Sequence, residues 1–151
     1  MKIKFLSVAL AVVLGTGYAL TAFSQARPET LVKQRQAVMT LQGKYFYPLL
    51  NMVRGRIPYD ANTAVRNAAF LDPLSKMPWD GFDPRTKDLK SGALPAVYTN
   101  TAKFKEDQDR LQAEVAKLVS VSKGSEAAIK AQIEAVDKAC GSCHETFRER
   151  Q

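Results

Sequence analysis

The amino-acid sequence predicts an all-α protein, an antiparallel four-helix bundle with up-down-up-down order. Apolar residues recur in steps of three and four along four segments, which places them on one face of each helix. No segment alternates between apolar and polar residues over the length of a strand. The connections between helices one and two, and between helices three and four, are short, which favours antiparallel neighbours in a bundle.

The N-terminus is predicted to be a cleaved secretory signal peptide, residues 1–26. Two lysines precede an apolar run from Phe5 to about Leu14, and Ser24 and Ala26 form a small-residue cleavage site. The run is short for a bilayer span, and an uncleaved membrane anchor is the alternative. Residues 27–151 then form one exported domain, which is long enough to bury a core.

The charge pattern argues against two classes of partner. The chain has a formal net charge of +7 at pH 7, but its basic residues are scattered and form no stripe interleaved with aromatic residues. We therefore expect solubility and mild attraction to anionic partners, with no nucleic-acid binding. No second apolar stretch approaches spanning length, so no stable membrane association is expected.

The first helix is predicted from about Pro28 to Val53. Pro28 suits the first helical turn, and Gly55 and Pro58 end the helix. The steps of three and four place one stripe of apolar or special positions on a single face. These positions are Leu31, Arg35, Val38, Met39, Gln42, Tyr45, Phe46, Leu49 and Met52.

The second helix is predicted to begin after the N-cap Asp60 and to end at about Met77, with a proline that kinks or shortens it. The segment that follows, residues 78–95, reads PWDGFDPRTKDLKSGALP and shows no helical period. It is therefore predicted to be irregular. Its large aromatic residues, Trp79 and Phe82, are expected to pack over apolar side chains.

The third helix is predicted from about Ala96 to Ser122, with the 4-3-4-3 spacing that is typical of a bundle seam. Gly124 separates it from the fourth helix, which Ser125 caps. The fourth helix continues the same spacing through Ile129, Ile133, Val136, Cys140, Cys143 and Phe147.

The sequence CGSCH, residues 140–144, contains both cysteines and the single histidine of the chain. The run C-x-x-C-H is the signature of covalent c-type haem attachment. Cys140 and Cys143 lie about one helical turn apart on one face, so both thiols can reach the vinyl groups of one porphyrin as thioethers. His144 follows at once, and histidine is a normal axial ligand of haem iron.

Three other uses of these residues are weaker. A thioredoxin-like C-x-x-C motif needs a strand–helix context, and no strand is predicted. A structural zinc site needs four ligands, more than two cysteines and one histidine supply. A disulfide between residues three apart on a helix is strained and joins nothing distant. A haem-free exported bundle that binds a partner through its surface remains the alternative of a different class.

The chain resembles the cytochrome c′ family, the class II c-type cytochromes, over its whole mature length. The resemblance rests on RQAVM at residues 35–39, MPW at 77–79 and, most specifically, CGSCHETFR at 140–148. It implies a periplasmic four-helix bundle with one covalent haem c, often a homodimer, that binds diatomic gases such as nitric oxide and carbon monoxide or transfers electrons. It implies no enzymatic activity and identifies no redox partner.

The resemblance also implies roles for polar residues of the first helix. Arg35, with Gln36 beside it, is expected to contact the haem propionates, since a buried arginine needs an anion. The alternative for Arg35 is a stem on the surface with its head in water. Thr86 and Lys87, in the irregular segment, are further candidates for the propionates.

The resemblance places Met39 over the distal face of the iron and Arg148 beside the proximal face. Met39 is either an apolar side chain over a five-coordinate iron, which we favour, or a sixth ligand that makes a low-spin electron carrier with His144. Arg148 stands four residues after His144 on the same helix face, or is a solvated arginine favoured by the helix dipole. Met52 and Met77 are predicted to fill the core.

Overall fold

The computed structural model describes residues 26–150; residues 1–25 of the predicted signal peptide, and Gln151, lie outside the described residues. Four long helices form the bundle, and a short fifth helix leads into the third of them. In chain order the helices are α1 Pro28–Val53, α2 Ala61–Lys76, α3 Ala96–Thr99, α4 Thr101–Val121 and α5 Glu126–Phe147. Within residues 26–150 the structure has no β-strand, only an isolated bridge between Ala93 and Arg148.

The helix starts follow the capping residues that the sequence predicts. The Asp60 carboxylate accepts a hydrogen bond from the backbone N–H of Thr63 at 2.6 Å. The Ser125 hydroxyl accepts one from the N–H of Ala128 at 3.3 Å. Each cap satisfies an N–H group that has no partner inside its helix, so α2 and α5 begin where the local sequence directs them.

One prediction about helix continuity was wrong. The third predicted helix is broken at Asn100, whose φ of −115° and ψ of 58° are not helical, so α3 and α4 are separate. Helix α2 ends at Lys76, next to its predicted end at about Met77, and includes Pro73, so of the two predicted effects of this proline, a kink and a shorter helix, the second does not occur. Pro73 is exposed, so the carbonyl group that its ring leaves without a donor can be hydrated.

The long helices pack antiparallel, in the order α1–α2–α4–α5 around the core. The side chain of Gln42 in α1 donates to the backbone carbonyl of Leu74 near the end of α2 at 2.7 Å. Gln132 near the start of α5 donates to the Glu114 carboxylate of α4 at 2.6 Å. The apolar core between them contains Phe46, Leu49, Leu50, Ala64, Ala68, Leu71, Leu111, Val115, Leu118, Ile129, Ile133, Val136 and Ala139.

The two methionines that were predicted to fill the core differ. Met52 is buried, with 4% of its surface exposed, whereas Met77 is 57% exposed because it lies just beyond the end of α2. The prediction for Met77 was therefore wrong. No helix among residues 26–150 is both long and apolar enough to cross a membrane.

Candidate cofactor site

A cavity of about 740 Å³ opens at the end of the bundle that contains the start of α1 and the end of α5. Its walls come from α1, α2, α4 and α5, from Val97 of α3, and from residues 148–150. The irregular segment contributes Trp79, Phe82 and residues 91–93. The volume lies within the roughly 300–1,000 Å³ that is usual for cofactor pockets. The site that the sequence predicts is therefore a built cavity.

One wall of the cavity is the last part of α5. Cys140, Cys143 and His144 all line it and are partly buried, and both cysteines are free thiols. Gly141 lines the same wall, and a Cβ atom built there would meet no other atom within 4 Å. The helix periodicity thus turns both thiols and the imidazole toward one open volume.

The thiols of Cys140 and Cys143 have a higher pKa than those of redox-active cysteines. Burial raises the pKa of Cys140 to about 12, with smaller contributions from Asp137 and Cys143. Burial raises the pKa of Cys143 to about 11, and the charge of Asp107 adds to this. Reactive cysteines have a lowered pKa, so this pair does not have the electrostatics of a thiol–disulfide centre.

His144 is held in the form that binds metal. Burial, and secondly the charge of Arg148, lower the pKa of its imidazole below the usual value. The ring is therefore neutral near pH 7, and a neutral imidazole nitrogen is the ligand form. Since the chain contains one histidine, His144 is the imidazole donor of the site.

Arg35 lines the cavity from α1 and is 3% exposed. Its guanidinium donates to the Gly81 carbonyl, to the Thr86 hydroxyl at 2.9 Å and to the Ser91 hydroxyl at 2.7 Å. It also lies 4.5 Å from the centre of the Phe82 ring. The alternative of a surface arginine with its head in water is therefore wrong.

The partners of the Arg35 guanidinium are neutral. Among residues 26–150 no carboxylate forms an ion pair with it. A buried cation without a counter-ion is costly unless an anion joins it. The charge at this side of the cavity suits an anionic substituent of the cofactor, as the resemblance implies.

The other two polar candidates for the propionates have different surroundings. Gln36 is exposed, lines the cavity and donates to the Ser91 carbonyl at 3.2 Å. Thr86 is completely buried and does not line the cavity. Its hydroxyl contacts the Asp83 carbonyl at 2.7 Å and the Tyr98 hydroxyl at 2.8 Å. Thr86 therefore contacts Arg35 from outside the cavity lining, and Lys87 also lies outside that lining. Contact of either residue with the propionates stays a prediction.

Met39 lines the cavity from α1 and is partly buried. It is the one methionine among the described residues that line the cavity, and His144 lines it from α5. The thioether and the imidazole therefore belong to different walls of one volume. This arrangement is compatible with both predicted roles of Met39, a cover over the distal face and a sixth ligand.

Arg148 lines the cavity, but its backbone differs from the prediction. Helix α5 ends at Phe147, and Arg148 has the extended values φ −123° and ψ 137°. The next residue, Glu149, donates its N–H to the Gly92 carbonyl at 2.9 Å. The pairing of this terminal segment with residues 92–94 ends the helix, so Arg148 reaches the His144 side from an extended chain and not from the helix face.

The prediction that Trp79 and Phe82 pack over apolar groups is confirmed. The Phe82 ring lies 5.0 Å from that of Phe104, which in turn lies 5.1 Å from that of Phe147. The Trp79 indole donates to the Ser75 carbonyl at 2.7 Å. These rings line the cavity and connect the irregular segment to α4 and α5.

Sequence reasoning missed the residues that hold Arg35 in place, namely Gly81, Ser91 and Tyr98. A Cβ atom at Gly81 would lie 2.6 Å from the Cβ of Arg35 and 2.9 Å from the Leu31 carbonyl oxygen, so only glycine allows this close approach. The single available signal was a glycine between two large aromatic residues. Ser91 and Tyr98 carried no signal of their own.

The residues present fit a covalent haem c. The wall of α5 carries two protonated thiols one turn apart and a neutral imidazole next to the second thiol. The cavity is lined largely by aromatic and aliphatic side chains, with a buried cation at one side. This donor set matches the C-x-x-C-H attachment chemistry.

Comparison with known proteins agrees with the geometry. The sequence model of a family described as "Cytochrome C'" matches residues 30–148. The cytochrome c′ of Rubrivivax gelatinosus is 36% identical over 126 residues, which cover 82% of this chain and 98% of the relative. The crystal structure of cytochrome c′ from that organism superposes with a TM-score of 0.77 at 37% identity and covers 82% of this chain and 98% of the other.

Structures of variants of cytochrome c prime from Alcaligenes xylosoxidans are also similar. One is a nitric oxide complex, with a TM-score of 0.75 and 32% identity over 83% of this chain and 98% of that chain. Another has carbon monoxide bound, with the same TM-score, identity and coverage. The chain therefore belongs to the cytochrome c′ family, whose members carry a covalently bound haem c.

Proposed function

We propose that the protein is a periplasmic haem c protein that binds small diatomic gases, nitric oxide and carbon monoxide, at a five-coordinate iron and also transfers electrons. The observation that carries the proposal is the cavity with the C-x-x-C-H run on one wall and the apolar side chain of Met39 on another. The family relatives with nitric oxide and carbon monoxide bound support it. When bound, the haem supplies an iron that takes up a gas molecule or one electron.

The protein residues have distinct roles in this proposal. Cys140 and Cys143 hold the cofactor, and the neutral imidazole of His144 provides the axial ligand. Arg35 provides a fixed positive charge for a propionate, with Gln36 at the rim. Arg148 faces the His144 side, where its donors are available to a bound gas. The apolar lining of the cavity would keep water away from the bound cofactor.

We also propose a location and an assembly for the protein. The predicted signal peptide, residues 1–26, supports the periplasm. A homodimer through α1 and α2 is supported by exposed apolar side chains on these helices, where Leu41 is 40% exposed and Phe70 is 45% exposed. Light scattering coupled to gel filtration tests the dimer. We propose no enzymatic activity for this protein.

The spectrum of the ferrous protein tests the coordination. The full chain would be produced in a host that matures c-type cytochromes, and spectra would be recorded before and after carbon monoxide is added. We expect an immediate spectral shift in the wild type and in Met39→Leu, which keeps the volume but removes the sulfur. A wild type that ignores the gas, with a Met39→Leu variant that responds, would establish the alternative, a six-coordinate electron carrier. A colourless wild type would overturn both.

A further inference from the structure

Asp107 in α4 is a buried carboxylate that the cofactor chemistry described above does not use. The residue is 1% exposed. Its Oδ1 accepts from the Lys103 ammonium at 2.5 Å, and the Arg110 guanidinium lies at 3.8 Å. Its Oδ2 has no hydrogen-bond partner among the described residues. Burial of an incompletely satisfied carboxylate costs stability, so its position in the core requires an explanation.

The helix register places Asp107 behind the cavity wall, opposite the second thiol. Helices α4 and α5 are antiparallel, and the rings of Phe104 and Phe147 are 5.1 Å apart. Asp107 lies one turn after Phe104 in α4, and Cys143 lies one turn before Phe147 in α5. Phe104 and Leu111, on either side of Asp107 along its helix face, line the cavity, whereas Asp107 itself does not.

The electrostatics agree with this register. Burial raises the pKa of Cys143 most, the charge of Asp107 raises it further, and the charge of Lys103 opposes this with a smaller effect. The pKa of His144 is shifted by burial and by Arg148. The register of α4 against α5 therefore places Asp107 on the side of the cavity wall that carries Cys143.

The neutralisation of Asp107 by Lys103 is incomplete. The Lys103 side chain is 35% exposed, and its ammonium is also 3.7 Å from the Glu106 carboxylate. Water and salt screen this partly exposed ammonium, whereas a charge inside the protein acts through a lower effective dielectric. Removal of the Asp107 charge would therefore make the electrostatic potential inside the cavity more positive.

We propose that Asp107 is a fixed buried charge that lowers the redox potential of the haem attached at Cys143 and so favours the ferric state. The inference rests on haem attachment, but not on gas binding. Reduction adds one electron to the iron, supplied by an electrode through a mediator, and lowers the net positive charge of the haem by one. A nearby negative charge stabilises the more positive ferric form, and burial and net charge are known determinants of haem potential.

The test is a spectroelectrochemical titration of the matured full-length protein and of paired variants. Asp107→Asn removes the charge and keeps the shape, with an amide oxygen left for Lys103. Asp107→Leu removes the charge with an apolar side chain, and the Lys103 ammonium, whose side chain is 35% exposed, can then be hydrated. Asp109→Asn is the matched control, because Asp109 lies on the same helix, is exposed and pairs with Lys105.

We expect both Asp107 variants to raise the midpoint potential. At a fixed electrode potential near the midpoint, the ratio of ferric to ferrous protein should fall by at least about threefold. Asp109→Asn should leave the ratio unchanged within replicate error. The absorption spectra of each oxidation state, and the response to carbon monoxide, should match the wild type in every variant.

Equal potentials for the wild type and the Asp107 variants, or an equal shift in Asp109→Asn, would overturn the proposal. A potential shift accompanied by altered spectra would also overturn it, since the iron ligation would then have changed. Failure of both Asp107 variants to yield a haem protein would assign Asp107 a structural role instead. Because carbon monoxide binding is measured separately, failure of the proposed gas function remains distinguishable from each of these results.

Discussion

At the end of the bundle where α1 finishes and α2 begins, Leu50, Ala64 and Leu118 pack in an apolar cluster. At the opposite end, around the cavity, the structure buries a guanidinium, that of Arg35, and a carboxylate, that of Asp107. They are the two charged side chains classed as buried among residues 26–150. Hydrophobic burial stabilises the apolar end. At the cavity end, the burial of two charged side chains costs stability. Such local violations of packing rules mark a functional site.

The largest expected effect comes from removal of the thiols that define the cavity end. A Cys140→Ser, Cys143→Ser double variant should lose all covalently bound haem, because no thioether can form. Haem staining on a denaturing gel measures this, with Ser142→Ala as the control that keeps full staining. A double variant that carries haem through the denaturing gel would contradict the attachment chemistry.

A pair of leucines in α4 compares the two ends directly. Leu118 is 1% exposed in the closely packed core, whereas Leu111 borders the cavity. Leu118→Ala should lower the free energy of unfolding by about 2–5 kcal/mol. Leu111→Ala should cost less, because Leu111 is 8% exposed at the border of the core, where neighbouring groups can relax into the space that the substitution leaves. Denaturant unfolding of the matured protein, followed by circular dichroism, measures both values. Equal losses of unfolding free energy in the two variants would contradict the difference between the two ends.

The close approach of Gly81 to α1 offers a third comparison within the cavity end. Gly81→Ala would place a methyl group 2.6 Å from the Cβ of Arg35, so the irregular segment must move away from α1. We expect a loss of about 1–3 kcal/mol, together with a weaker hold on Arg35. An unchanged unfolding midpoint would show that the segment moves without cost and that Arg35 does not depend on it.

The smallest expected effect is a pH dependence at the start of α2. Hydrogen bonds from Thr63 lower the pKa of Asp60 below its ordinary value of 3.8. A lowered folded-state pKa means that the stabilisation is present above the unfolded pKa and is lost as the pH falls through the folded pKa. Asp60→Asn keeps the cap but does not titrate. Between pH 6 and pH 3 the melting temperature should therefore fall less steeply for Asp60→Asn than for the wild type. Equal slopes would show that the Asp60 cap does not contribute to the pH dependence of stability.

The helix ends illustrate how far local sequence predicts this fold. Asp60 and Ser125 mark the starts of α2 and α5, and the seam spacing in α5 turns Cys140 and Cys143 inward. Prediction failed where local signals were silent. Asn100 breaks a helix although the 4-3-4-3 spacing continues across it. Met77 is apolar, but it lies just beyond Lys76, where α2 ends.

The sequence by itself determined the helices, their antiparallel order and the C-x-x-C-H wall of the cavity. Caps, periodicity and adjacent ligands act over a few residues, so they can be identified without a fold. Only the tertiary structure decided the surroundings of the two buried charges. Arg35 donates to Thr86 across 51 positions of the chain and to Ser91 across 56. The unpaired oxygen of Asp107 depends on how α4 packs against α5. Contacts of this range arise from packing, which no local pattern encodes.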